Sequence, residues 1–212
     1  MKQVEEAKRA FAQKFGCEGR SVSDRDDLLF AVKLAYQDAT PRTIKGHGEI
    51  PSDEIAQICA RIADQINRYL GGAAPETAEE FDGAHDAPCV SVLDDYNKLL
   101  EGHKLPKQAY GKAQKIVNMT LKYLYCFDDA ASRDAWFAHC HMPIDSIISE
   151  WWKDEGVTSC TITWTRLSET EYRFFTNLAR NWCEGHPLTE DGETDARPLD
   201  LELVAWNQAR GI

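Results

Sequence analysis

Between residues 110 and 127 the side chains Ala113, Ile116, Val117, Thr120, Tyr123, Leu124 and Phe127 recur at the helical period and share one face. This is the strongest helical signature in the chain, and most other segments repeat it. Leu28, Leu29, Val32, Ala35 and Tyr36 predict a helix over 24–37. Ile55, Ile58, Cys59, Ile62, Ile66 and Leu70 predict another over 53–70. Further helices are expected at 4–15, 91–101, 131–138, 144–153, 169–183 and 198–207. Ser23 with Asp26 and Ser168 with Glu171 give capping-box starts, Ser52 a simple cap, and Gly71-Gly72 a stop. Residues 157–166, with β-branched alternation, read as a strand or an extended connector. One strand cannot make a sheet, so the expected class is all-α, a multi-helix array.

The stretch 71–90, rich in Gly, Ala, Pro and acids, is the best loop or linker in the sequence. It divides the chain into an N-terminal helical portion (1–72), a linker (73–90) and a C-terminal helical portion (91–212) that carries all six tryptophans. Two portions within one domain are equally compatible with this pattern.

The 43% apolar content supports a core, and no run approaches the roughly 18 apolar residues of a membrane span. The opening residues read as an amphipathic helix rather than a signal peptide, so the expectation is a cytoplasmic protein with no membrane partner. Seven widely spaced cysteines form no C-x-x-C pair and read as free thiols, several of them in the core. His139, Cys140 and His141 are adjacent. Neighbours on a helix point apart by about 100°, so no shared metal is expected there, and no cofactor is implied elsewhere.

The net charge of −11 conceals a local excess. Residues 103–127 hold Lys104, Lys107, Lys112, Lys115 and Lys122 and no acid, so this stretch is +5 and the rest −16. Lys112, Lys115 and Lys122 lie on one side of the helix beside its apolar stripe. Such an edge suits a nucleic-acid backbone, and equally a solvated face balanced by acids elsewhere.

Within this block, Gly111-Lys112-Ala113-Gln114-Lys115-Ile116-Val117-Asn118, and downstream Met142-Pro143-Ile144-Asp145-Ser146-Ile147-Ile148, resemble the hairpin and the catalytic-aspartate segment of helix-hairpin-helix DNA glycosylases. The likeness spans about residues 105–150, with Ala113 standing at the family's second hairpin glycine. It implies base excision with Lys115 as the amine that attacks the sugar C1′ and Asp145 as its carboxylate. It also implies DNA binding through Lys107, Gly111, Lys112, Ala113 and Lys122. A lysine attacks only as the neutral amine, so desolvation or a nearby charge such as Lys112 would be needed.

Two other readings stay open. Arg180-Asn181 followed by His186 resembles the R-N-x4-6-H motif of HEPN ribonucleases, although Arg42–His47 and Arg133–His139 also fit the loose spacing. An acidic, non-enzymatic helical protein that meets a basic partner is the third.

Overall fold

The computed structural model describes residues 2–40, 44–185 and 197–211. Among them are nine α-helices and no strand: α1 Lys2–Phe15, α2 Arg25–Ala39, α3 Ser52–Leu70, α4 Ala78–Gly102, α5 Tyr110–Tyr125, α6 Asp134–Phe137, α7 Ser146–Asp154, α8 Glu169–Gly185 and α9 Pro198–Arg210. The class is therefore all-α, as the periodicity implies. Residues 157–167 are a connector with one 3-10 turn at Trp164–Arg166, not a strand.

The array is organised around α5. It packs against α2, α4, α8 and the Trp164–Arg166 turn, while α3 bridges α2 and α4. On the other side α9 contacts α1, α7 and α8. Every residue of α5 is buried, so the face opposite the expected stripe is covered as well. A helix enclosed all round must find partners for its polar side chains. Thr120 returns its hydroxyl to the Ile116 carbonyl, at 2.8 Å. The three lysines need partners from other elements.

Those partners correct the idea of a solvated or DNA-facing lysine edge on α5. Lys112 Nζ donates to the carbonyl of Ala39, the last residue of α2, at 2.6 Å, and lies over the Trp164 ring. It thereby caps a helix whose final turn has no basic residue of its own. Lys115 contacts Asp145, and Lys122 contacts Glu202 on α9. Phe11 and Trp206 enclose the Lys122 ammonium.

The segment expected as a linker, 73–90, is helical from Ala78 onward. Its Gly, Ala and acidic content hides a buried stripe of Phe81, His85, Pro88, Cys89, Val92, Tyr96 and Leu100. Thr77 starts α4 by accepting the Glu80 amide, at 3.2 Å. Pro88 removes one hydrogen bond inside the helix, a cost its buried ring helps to offset. Caps differ from expectation in two other places. Asp24, not Ser23, caps α2, accepting from the amides of Asp26 and Asp27. Ser52 is the first residue of α3 rather than its cap. The Ser168–Glu171 capping box forms as read, with Glu171 accepting the Ser168 amide at 2.9 Å and Ser168 the Glu171 amide at 3.3 Å.

Trp151 and Trp152 divide as adjacent helical positions require. Trp152 is fully buried, and half-buried Trp151 packs edge-on against Trp182. Six cysteines are buried and Cys160 is exposed; all are free thiols. Among the described residues no helix is long and apolar enough to cross a membrane.

The Lys122–Glu202 pair gives a direct test of how α9 is held. Lys122→Met leaves a buried carboxylate without its cation and should cost about 3–5 kcal/mol, read by urea unfolding. The double variant Lys122→Met/Glu202→Leu should recover most of that loss. A double variant no more stable than Lys122→Met would show that the pair does not carry the packing.

Candidate active site

Two elements bring Lys115 and Asp145 together. Lys115 lies in the second turn of α5, while Asp145 is the N-cap of α7, where its Oδ1 accepts the Ile148 amide at 3.0 Å. The Asp145 carbonyl accepts from the amide and hydroxyl of Ser149. The preceding irregular stretch, residues 141–144, docks on α5 through Gln114. The Gln114 amide donates to the carbonyls of Gly111 and Ile144, each at 3.0 Å. The second carboxylate oxygen, Oδ2, is then aimed at Lys115 Nζ.

The pair is closed off from solvent. The Lys115 and Asp145 side chains retain 6% and 11% of their accessible surface. Trp164 lies over both ammonium groups, 4.7 Å from Lys112 Nζ and 5.8 Å from Lys115 Nζ to the ring centroid. A cavity of about 450 Å³ opens between the connector and α8, beside Ile162, Arg166, Leu167 and Phe174, but neither Lys115 nor Asp145 lines it.

Burial alone would raise the Asp145 pKa. The Lys115 charge and hydrogen bond, the Ile148 amide and Lys122 together hold it below the ordinary carboxylate value. The resting pair is thus an ammonium facing a carboxylate. Burial, reinforced by the Lys115 charge, brings Lys112 down to about 8.

The other residues suggested by the glycosylase likeness are placed differently from a DNA-facing hairpin. Gly111 gives its amide to the Leu167 carbonyl at 2.9 Å, and Ala113 is fully buried. Lys112 and Lys122 are enclosed as described. Only Lys107, with Lys104, projects from the turn between α4 and α5. That turn is tied to α4 by Asn97, which accepts the Gln108 amide at 2.8 Å and donates to the Gln108 carbonyl at 3.2 Å.

A second polar cluster was not legible as a unit in the sequence. His85 Nε2 donates to Asn118 Oδ1 at 2.7 Å, and Asn118 Nδ2 donates to the Tyr172 hydroxyl at 2.8 Å. Tyr172 in turn donates to His141 Nδ1 at 2.6 Å, and His141 Nε2 donates to Asp82 Oδ1 at 2.7 Å. Arg180 closes the chain with two bonds to Asp82, at 2.7 and 2.8 Å. Burial favours the neutral imidazole at both histidines. Arg180 is thus engaged by Asp82, and His186 lies outside the described residues. His141 is held by Asp82 and Tyr172 while the Cys140 thiol turns to the Trp136 carbonyl, so these two neighbours diverge. Among the described residues no cluster has the makings of a metal site.

Comparison with known protein families, curated proteins and solved structures yields no match to this chain.

The buried histidines set an acid limit on stability. Burial lowers His141 from its ordinary value of 6.5 to about 4, against the opposing pull of Asp82. Burial likewise lowers His85 well below 6.5. Between these values the unfolded chain binds protons that the folded one does not, so stability falls as pH drops below about 6.5. Asp82, held low by His141 and Arg180 against its own burial, adds a further loss below the ordinary carboxylate pKa. Thermal melts at several pH values should therefore show Tm declining between pH 6.5 and 4. A flat Tm across that window would mean the histidines titrate normally in the folded protein.

Proposed function

We propose that this chain is a base-excision protein of the helix-hairpin-helix DNA glycosylase type, in which Lys115 and Asp145 carry the chemistry. The observation that supports it is their convergence. Two residues thirty positions apart, chosen for their likeness to a nucleophile and its carboxylate, meet as a buried pair. Their settings match the roles: an amine in the early turns of the helix after a helix-turn, and a carboxylate capping the next long-range helix.

On this reading the resting ion pair is inert, because an ammonium has no lone pair to attack with. Lys115 first passes a proton to Asp145. The neutral amine then forms a bond to the sugar C1′ as the bond from C1′ to the base breaks, and Asp145 returns its proton to the departing base. The carboxylate so regenerated takes a proton from the new C1′–ammonium and hands it to the ring oxygen as the sugar opens to an imine. DNA contact falls to the exposed turn lysines, Lys104 and Lys107, because the lysines of α5 are consumed inside the fold.

The imine makes the reading testable. Borohydride treatment of the protein with DNA bearing an abasic or damaged site should trap a covalent adduct. Lys115→Ala should abolish it, and Asp145→Asn should reduce it about 100-fold. Absence of an adduct with the wild-type chain across abasic and oxidised-base substrates would overturn the lysine mechanism.

DNA affinity supplies a separate check. Lys104→Ala/Lys107→Ala should weaken binding and reduce the slope of log K against log salt by about 2. Lys112→Met, whose amine is buried, should lower stability and leave that slope unchanged. The opposite pattern would place the DNA contact on α5.

A further inference from the structure

The proposed site has a reacting pair but no entrance. With 6% and 11% of their side-chain surface accessible, Lys115 and Asp145 cannot be reached by any ligand in this closed arrangement. Over the lysine lies Trp164 of the irregular connector that follows α7. The connector leaves α7 at Gly156, whose backbone takes φ +70° with open space around its Cα, and ends at the Ser168–Glu171 capping box. Between them the chain has no helix longer than the single 3-10 turn.

Its moorings are few. Val157 and Thr158 donate to the Trp152 carbonyl at the start, Lys153 reaches Thr161 on the exposed side, and Leu167 accepts the Gly111 amide at the end. Of its residues only Ile162 and Leu167 are buried. A segment with so few hydrogen bonds to its neighbours and only two buried side chains opens at a lower free energy than the surrounding core.

The seat is shaped for close approach. A Cβ on Gly111 would lie 1.8 Å from the Trp164 carbonyl oxygen and 3.2 Å from the Leu167 Cβ. The absence of a side chain at this one position of α5 is what lets the connector come down onto the helix and hold Trp164 over the two ammonium groups.

We infer that residues 157–167 form a lid, hinged at Gly156 and seated on Gly111. It must lift for a ligand to reach Lys115 and Asp145, and in its closed state the Trp164 indole holds the place of a planar ring of that ligand. The identity of that ring as a nucleobase rests on the function proposed above; the lid itself does not. An indole over two cations is a favourable contact, so an incoming flat, electron-rich ring replaces it with one of the same kind.

Lysine acetylation read by mass spectrometry tests the lid with no nucleic acid present, so its result stands whether or not an adduct is ever trapped. Lys112 lies beneath the lid. Lys122, on the same helix and equally buried, lies beneath α9 and Phe11. Each rate is divided by that of the same lysine in the urea-unfolded chain. Lid opening should make the corrected rate of Lys112 at least about tenfold that of Lys122, because only global unfolding exposes the latter. Gly111→Ala, which strains only the seated lid, should raise the Lys112 rate further and preserve the excess of Lys112 over Lys122. Should Gly111→Ala fail to fold, Trp164→Ala serves in its place with the same expectation. Equal corrected rates for Lys112 and Lys122 in the wild-type chain, or a variant in which the Lys112 rate does not rise, would overturn the lid.

Discussion

The interior helix α5 carries three ammonium groups into a place without water, and the rest of the fold answers to that constraint. Moving a charge out of water costs several kcal/mol unless a partner waits for it. Here the partners come from three separate parts of the chain: the last carbonyl of α2, the cap of α7 and a glutamate of α9. Each pairing fixes one neighbour at a defined height along α5. The apolar face supplies most of the burial energy, whereas the lysines decide which helix sits where. A hydrophobic stripe alone would tolerate a neighbour sliding by a turn; a buried ammonium does not.

This explains what the sequence disclosed and what it withheld. The helical period of 110–127 announces α5, because an apolar stripe is a local property. The opposite face is another matter. Lys112, Lys115 and Lys122 read as an edge facing a nucleic acid or solvent, since charged residues on a helix usually face water. Their burial depends on Ala39, Asp145 and Glu202, which no local window contains. The first half of α4, ahead of the expected helix at 91–101, was missed for the reverse reason. Its Gly83 and Pro88 speak locally for a loop, while the stripe of Phe81, His85, Cys89 and Val92 wins through packing. Thr77 followed by Glu80 was the legible sign of its start, and it lay inside the stretch discounted for its composition.

The candidate site divides along the same line. Lys115 and Asp145 were nameable because each sits in a short, recognisable run, and the geometry brings them into contact. The cover over them was not nameable, for a connector has no period to read. The chain from His85 through Asn118, Tyr172 and His141 to Asp82 was equally hidden, because its members come from four elements and meet only once the array closes. Asn118 in mid-helix, directly among apolar neighbours, was the single local hint that a polar assembly lay behind it.

The contact between α1 and α9 has a consequence for how the chain comes into being. Asn207 reaches back to the Ala7 carbonyl, and Glu202 neutralises an ammonium that α1 and α5 have already enclosed. During synthesis every helix up to α8 emerges before that glutamate does. Until the ninth helix arrives, the nascent body holds an unneutralised cation in a half-walled chamber and an open flank along Phe11. Such an intermediate is a natural ward of chaperones and a natural target for proteases. A chain stopped short of α9 lacks both the counter-ion of Lys122 and the aromatic neighbour that Trp206 gives to Phe11.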